Sequence, residues 1–146
     1  MSAGRADGGR TLGRMALRRS DDSPFVQITQ ARRIDVRPGA PTTVDVLFRD
    51  SYVRPDGLET VIHEYTLAME VDATGIVSSC EATPRVLPWV ECPAAASSAS
   101  RLLGLPVAGL RRHVRDTFVG TSTCTHLNDT LRALEDVPAL LELTGA

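Results

Sequence analysis

The stretch Val119-Gly120-Thr121-Ser122-Thr123-Cys124-Thr125-His126-Leu127 delivers a cysteine, and a histidine two residues later, into the start of an amphipathic helical pattern. A thiol in a first helical turn meets backbone N–H groups that lack an intrahelical acceptor, together with the positive end of the helix dipole, and both favour thiolate over thiol. The position therefore suits a metal ligand or a nucleophile. The competing reading is a small buried hydrophobe, since free cysteine is among the most buried residue types. On a regular helix Cys124 shares its face with Leu127 and Leu131, while His126 lies about 200° away, on the side of Thr130. A regular first turn thus keeps His126 from joining Cys124 on one ion and ranks it as an outer partner or proton carrier.

The other residues able to ligate or to move protons are His63 and Cys92, with Asp50 and Glu64 as the carboxylates near them in sequence. The separations, roughly thirty residues from one candidate to the next, match none of the compact zinc motifs, so any shared site must be assembled by the fold. Two helix starts, at Cys92 and Cys124, and one strand entrance, at His63-Glu64, can meet at one end of a sheet if the helices cross one of its faces. Three protein ligands with a fourth position open is the pattern of a catalytic zinc or iron site. The alternative chemistry is a thiolate nucleophile, Cys124 or Cys92, with His63 or His126 as its base. His113 stands beside Arg111, Arg112 and Arg115 and reads as part of a solvated helix face, as do Ser97, Ser98 and Ser100. The sequence has no phosphate-cradling loop, no Gly-x-Ser-x-Gly elbow and no His-Glu-x-x-His pair.

Composition bounds the classes. At 146 residues the chain fits one domain able to bury a core without staples. No apolar run approaches the roughly 18 residues of a membrane span, and the first residues carry no apolar core behind their charges, so a cytoplasmic, non-membrane protein is expected. Three cysteines, an odd number, argue against a disulfide framework. All basic residues are arginines, but a net charge of −2 supplies no field for nucleic acid, and no nucleic-acid partner is expected. Residues 1–24, rich in Gly, Arg, Ser and Asp, read as a disordered N-terminal arm ahead of a single domain over residues 25–146.

Alternation of apolar residues predicts an antiparallel β-meander of three to four strands from Phe25 to Ala82. The first strand is expected over Phe25 to Val36 and the second over Thr43 to Arg49, with Val44, Val46 and Phe48 on one face. Asp50 to Gly57 reads as a loop. The third is expected over Thr66 to Asp72, with Leu67, Met69 and Val71 inward, and the fourth over Ile76 to Ala82, where parity puts Cys80 in the core. After Pro88 the period lengthens toward three and a half, predicting three to four helices on one face of the sheet: Ala94 to Leu103, one from Pro106, one from Ser122 or Thr123 to Leu134, and a short last one opened by Pro138. Trp89 is expected to pack over the first helix entrance.

At these residues the chain resembles a bacterial family, domain-of-unknown-function family 2889. The likeness runs through Ile62-His63-Glu64, Leu67 to Asp72, Leu87-Pro88-Trp89-Val90-Glu91-Cys92, Leu103-Gly104, Gly109-Leu110 and Gly120 through Cys124-Thr125-His126-Leu127, with Asp50 where the family tends to carry an acid. It spans about Ile34 to Leu134 and names no reaction. More distantly the chain is similar to the U-type iron-sulfur cluster assembly scaffolds, in the order and spacing of Leu67 to Ala82, Cys92 to Gly104 and Cys124 to Leu134. That resemblance implies an iron-sulfur-scaffold-like α+β fold and a three-ligand metal site at His63, Cys92 and Cys124. The chain departs from the scaffolds where they carry a cysteine at the strand entrance and an aspartate two residues on, for here stand His63 and Tyr65. It also lacks their proline-rich chaperone-docking motif between Leu105 and Thr123. Harder ligands lower the affinity for a transferable cluster and favour a single Zn or Fe ion.

The expectation is therefore a small metal-dependent enzyme with His63, Cys92 and Cys124 on the ion, and with Glu64, Asp50 or His126 moving the proton. Its substrate is an acyl or carbonyl small molecule in bacterial catabolism or specialised metabolism, and the reaction a hydrolysis, isomerisation or cyclisation. A homodimer is compatible with this reading. The alternatives are a non-catalytic iron-sulfur or sulfur-transfer protein and a binding module with structural cysteines.

Overall fold

A computed structural model of the chain describes residues 27–87, 92–121 and 123–145, with the backbone alone for residues 92 and 93. The expected arm over residues 1–24 and the expected packing of Trp89 lie outside the described residues. Four antiparallel strands, β1 (Gln27–Arg37), β2 (Thr42–Val53), β3 (Glu59–Val71) and β4 (Val77–Val86), form an open sheet in sequence order. The fold is the expected α+β meander with helices, but β2, β3 and β4 are longer than expected. Asp50 to Val53, read as loop, continues β2, and β3 begins at Glu59 instead of Thr66. The hairpin is shortened to the Arg54-Pro55-Asp56-Gly57 turn, in which Gly57 takes φ +85° and accordingly has no Cβ to clash. His63 and Glu64 are thereby moved from a strand entrance into mid-strand.

One face of the sheet presents Val44, Val46, Phe48, Tyr65, Leu67, Met69 and Val71, and all are buried. Period-two alternation sends Asp45, Leu47, Arg49, Glu64, Thr66 and Ala68 to the other face. Pro84 is tolerated because β4 is an edge strand. Cys80, at 5% exposure, lies in the core as its parity predicts.

The helices cover the apolar face. The first, α1 (Cys92–Ala96), gives way after one turn to a 3-10 stretch, Ser97–Leu102. Ser98 is buried there and donates to the Ala95 carbonyl at 2.7 Å, a correction to its reading as a surface residue. Helix α2 (Leu110–Thr117) starts later than Pro106 and buries Leu110 and Val114, with Phe118 just beyond its end. Helix α3 (Thr125–Ala133) and α4 (Val137–Leu143) follow, joined by a 3-10 turn at Leu134–Asp136. Leu127, Leu131 and Leu134 are fully enclosed against the sheet, as their spacing requires. Arg32 of β1 donates to the Asp129 carbonyl at 2.9 Å and pairs with its carboxylate, which ties α3 to the sheet edge.

Candidate functional site

The site lies at the sheet end nearest the β2–β3 hairpin, on the helix-covered face. Asp50 and His63 are direct cross-strand partners, so their side chains emerge side by side. Immediately beyond them the register shifts, with Ser51 opposite Val61, which leaves Ile62 as the extra residue of a β-bulge. A bulge re-aims the side chains next to it and increases the local twist. Asp50 and His63 each retain only 8% exposure.

Helix α3 brings the third group. Its N-cap is Cys124, in an extended conformation (φ −119°, ψ 131°), and helical dihedrals start at Thr125. The wheel argument that separated Cys124 from His126 therefore fails, because Cys124 stands outside the helix that the wheel describes. The His126 ring stacks on His63 with centroids 3.9 Å apart and leans on Phe48 at 5.9 Å. Its Nε2 is 3.1 Å from Asp50 Oδ2, and its Nδ1 is 3.9 Å from Cys124 Sγ. One donor atom from each of Asp50, His63 and His126 lies within 4.8 Å of the other two.

Burial pushes the His63 imidazole below its ordinary pKa of 6.5, and the neighbouring His126 adds to that effect while Asp50 opposes it. That direction favours the neutral imidazole, the form able to ligate an ion. Cys124 is half-buried, packed against the cluster formed by Phe48, Tyr65 and Ala96 and against the edge of the main core. Ala96 lies one turn after Cys92, whose backbone opens the same short helix. The side chain of Cys92 lies outside the described residues.

The structure thus brings together Asp50, His63, His126 and Cys124. Cys124 Sγ, expected on the ion, lies instead against the far nitrogen of His126 and outside the group of three mutually close donors. Glu64 is not brought to the site. Adjacency in sequence to His63 puts it on the opposite sheet face, where Arg49 pairs with it. Asp50 and His126, expected to move protons, are the two groups whose donor atoms come within 4.8 Å of a His63 nitrogen and of each other.

Sequence reasoning missed Asn128. At 6% exposure, it donates from Nδ2 to the Phe118 carbonyl at 2.9 Å and to Thr123 Oγ1 at 3.3 Å, clasping the loop that leads to Cys124. The available signal was an asparagine inside a helical pattern, where it has poor propensity and so needs a tertiary partner. Gly120, at φ +80°, gives that loop its left-handed bend.

Fold and site together define an α+β protein, a four-stranded antiparallel sheet with helices on one face and an Asp/His/His/Cys cluster between them. The chain belongs to the family described as protein of unknown function DUF2889, whose model matches residues 26–140. No curated protein and no solved structure matches it, so the resemblance to iron-sulfur scaffolds has no counterpart among solved structures. Among the described residues no helix is long and apolar enough to cross a membrane.

Proposed function

We propose that this protein is a small metal-dependent enzyme acting on an acyl or carbonyl substrate, with a single Zn or Fe ion held by Asp50, His63 and His126. The observation that carries the reading is the mutual approach of their donor atoms to within 4.8 Å. Two imidazole nitrogens and a carboxylate oxygen suit zinc or ferrous iron, and three protein ligands leave a coordination position for substrate or water. Such an ion supplies Lewis-acid polarisation of a carbonyl oxygen or of water. Burial favours the neutral, ligating form of His63, and the Phe48 ring lies 5.9 Å from that of His126, tilted by 47°. Asp50 Oδ2 stands 3.1 Å from His126 Nε2, so on loss of the Nε2 proton an ion would be held between that oxygen and that nitrogen. Compared with the expected set of His63, Cys92 and Cys124, this one keeps His63 and replaces both sulfurs, which also disfavours an iron-sulfur cluster.

Metal analysis of the whole chain, purified without chelator, tests the reading together with an absorption spectrum. One equivalent of zinc or iron, lost in His63→Ala and in Asp50→Asn, is the expected result. A brown protein with labile sulfide would support the iron-sulfur or sulfur-transfer alternative. Absence of metal from both the purified and a zinc- or iron-reconstituted sample would sink the metal reading and leave the binding module with structural cysteines.

A further inference from the structure

We infer a second activity in the metal-free protein: Cys124, His126 and Asp50 form a nucleophile–base–orienter relay for transfer of an acyl group from an ester or thioester to water. The inference shares residues with the metal reading but does not depend on it. Three observations converge. Cys124 Sγ is 3.9 Å from His126 Nδ1, within reach of a sulfur hydrogen bond and of the looseness usual before substrate binds. His126 Nε2 is 3.1 Å from Asp50 Oδ2, so the carboxylate accepts the Nε2–H and leaves the Nδ1 lone pair toward the thiol. The nucleophile is also the N-cap of α3, which has no side-chain cap. The helical ladder starts with the Asn128 N–H donating to the Cys124 carbonyl at 2.8 Å, which leaves the N–H groups of Thr125, His126 and Leu127 outside it. Those donors lie where an oxyanion formed next to Cys124 would find stabilisation.

The reaction balances without a further reagent. The Cys124 thiol gives its proton to His126 Nδ1 as the Sγ–C bond forms at the substrate carbonyl. The resulting oxyanion collapses, the bond to the leaving alcohol or thiol breaks, and His126 returns the proton to that group. Water then attacks the acyl-Cys124 thioester, His126 takes and returns its proton, and the carboxylic acid leaves as the free thiol is restored.

p-Nitrophenyl acetate is the probe, with the full-length chain freed of metal by a chelator that is then removed. The expected result is a burst of about one equivalent of p-nitrophenolate, with acetyl recovered on the peptide that carries Cys124. Cys124→Ala abolishes the burst, and His126→Ala slows acetylation of Cys124 about a hundredfold or more. Glu64→Gln, on the opposite sheet face, leaves the burst unchanged. If His126→Ala fails to fold, the native rate at Cys124 is compared with that of the same chain in urea, where the thiol has no partner; the native rate should be about a hundredfold higher. Equal rates in the native and unfolded chains, or acetyl on Cys80 or Cys92 instead, would overturn the inference. Zinc added beforehand should suppress the burst by engaging Nε2 and Asp50. Acetylation that persists under zinc supports the relay and counts against the metal reading, whereas a zinc-binding chain that is not acetylated when metal-free overturns the relay alone.

Discussion

The sharpest consequence of the structure for this chain's cysteines concerns Cys80, because its inertness can be worked out in numbers. Burial at 5% exposure, on β4 under the covering helices, pushes its thiol from 9.0 up to about 12. At pH 8 that shift lowers its thiolate fraction from about one in ten to about one in ten thousand, a loss of about 1000-fold. Nucleophilicity rises with pKa at a Brønsted slope of about 0.4–0.5, which returns roughly 20-fold and leaves alkylation about 50-fold slower than at an ordinary thiol. Steric exclusion slows it further. The assay is a pulse of iodoacetamide on the native full-length chain at pH 8, quenched and mapped by peptide mass spectrometry, beside the same pulse in urea. Cys80 should be labelled at least about 50-fold more slowly in the native protein than in urea, while Cys124, half-buried at the helix start, reacts first of the two. Native labelling of Cys80 as fast as in urea, or ahead of Cys124, would refute the placement of β4 against the helices and of Cys124 as the more accessible of these two thiols.

Other outcomes follow from the same geometry. Leu131→Ala, at a side chain with 0% exposure between α3 and the sheet, should cost about 2–5 kcal/mol in urea denaturation. Glu64→Gln should leave metal content unchanged and cost no more than about 1 kcal/mol, because the pair with Arg49 is partly exposed and stands behind the sheet. The metal-free protein should lose stability as pH falls below 6.5. There the unfolded chain takes up a proton at His63 that the folded chain resists, so the loss runs from 6.5 down to the depressed folded value and then levels. Urea midpoints measured across this window should fall less steeply in His63→Asn, and an unchanged slope would remove His63 as the cause.

Much of the architecture can be read from local pattern. Alternation through Val44, Val46 and Phe48, and through Leu67, Met69 and Val71, marks the inner sheet face, because a strand can turn only every second residue toward a core. The same parity buries Cys80, and the spacing of Leu127, Leu131 and Leu134 marks the inner face of α3. Strand ends are less legible. The stretch from Asp50 to Gly57, with its Pro55-Asp56-Gly57 turn signal, reads as loop, yet cross-strand pairing extends β2 to Val53.

The sequence by itself determined the class of fold and the residues capable of chemistry, since periodicity and side-chain type are local properties. Which of those residues meet was decided only by tertiary structure. Asp50 and His63 come together because the β2–β3 register pairs them beside a bulge, and one residue of slip would have sent either to the other face. Glu64 was lost to the site by that same alternation. His126 joined Cys124 because Cys124 is the extended N-cap and not a residue of the first helical turn, at the end of a loop whose Phe118 and Thr123 are held by Asn128. Register, bulges and caps depend on contacts between residues distant in sequence, so no window of the chain contains the information that sets them.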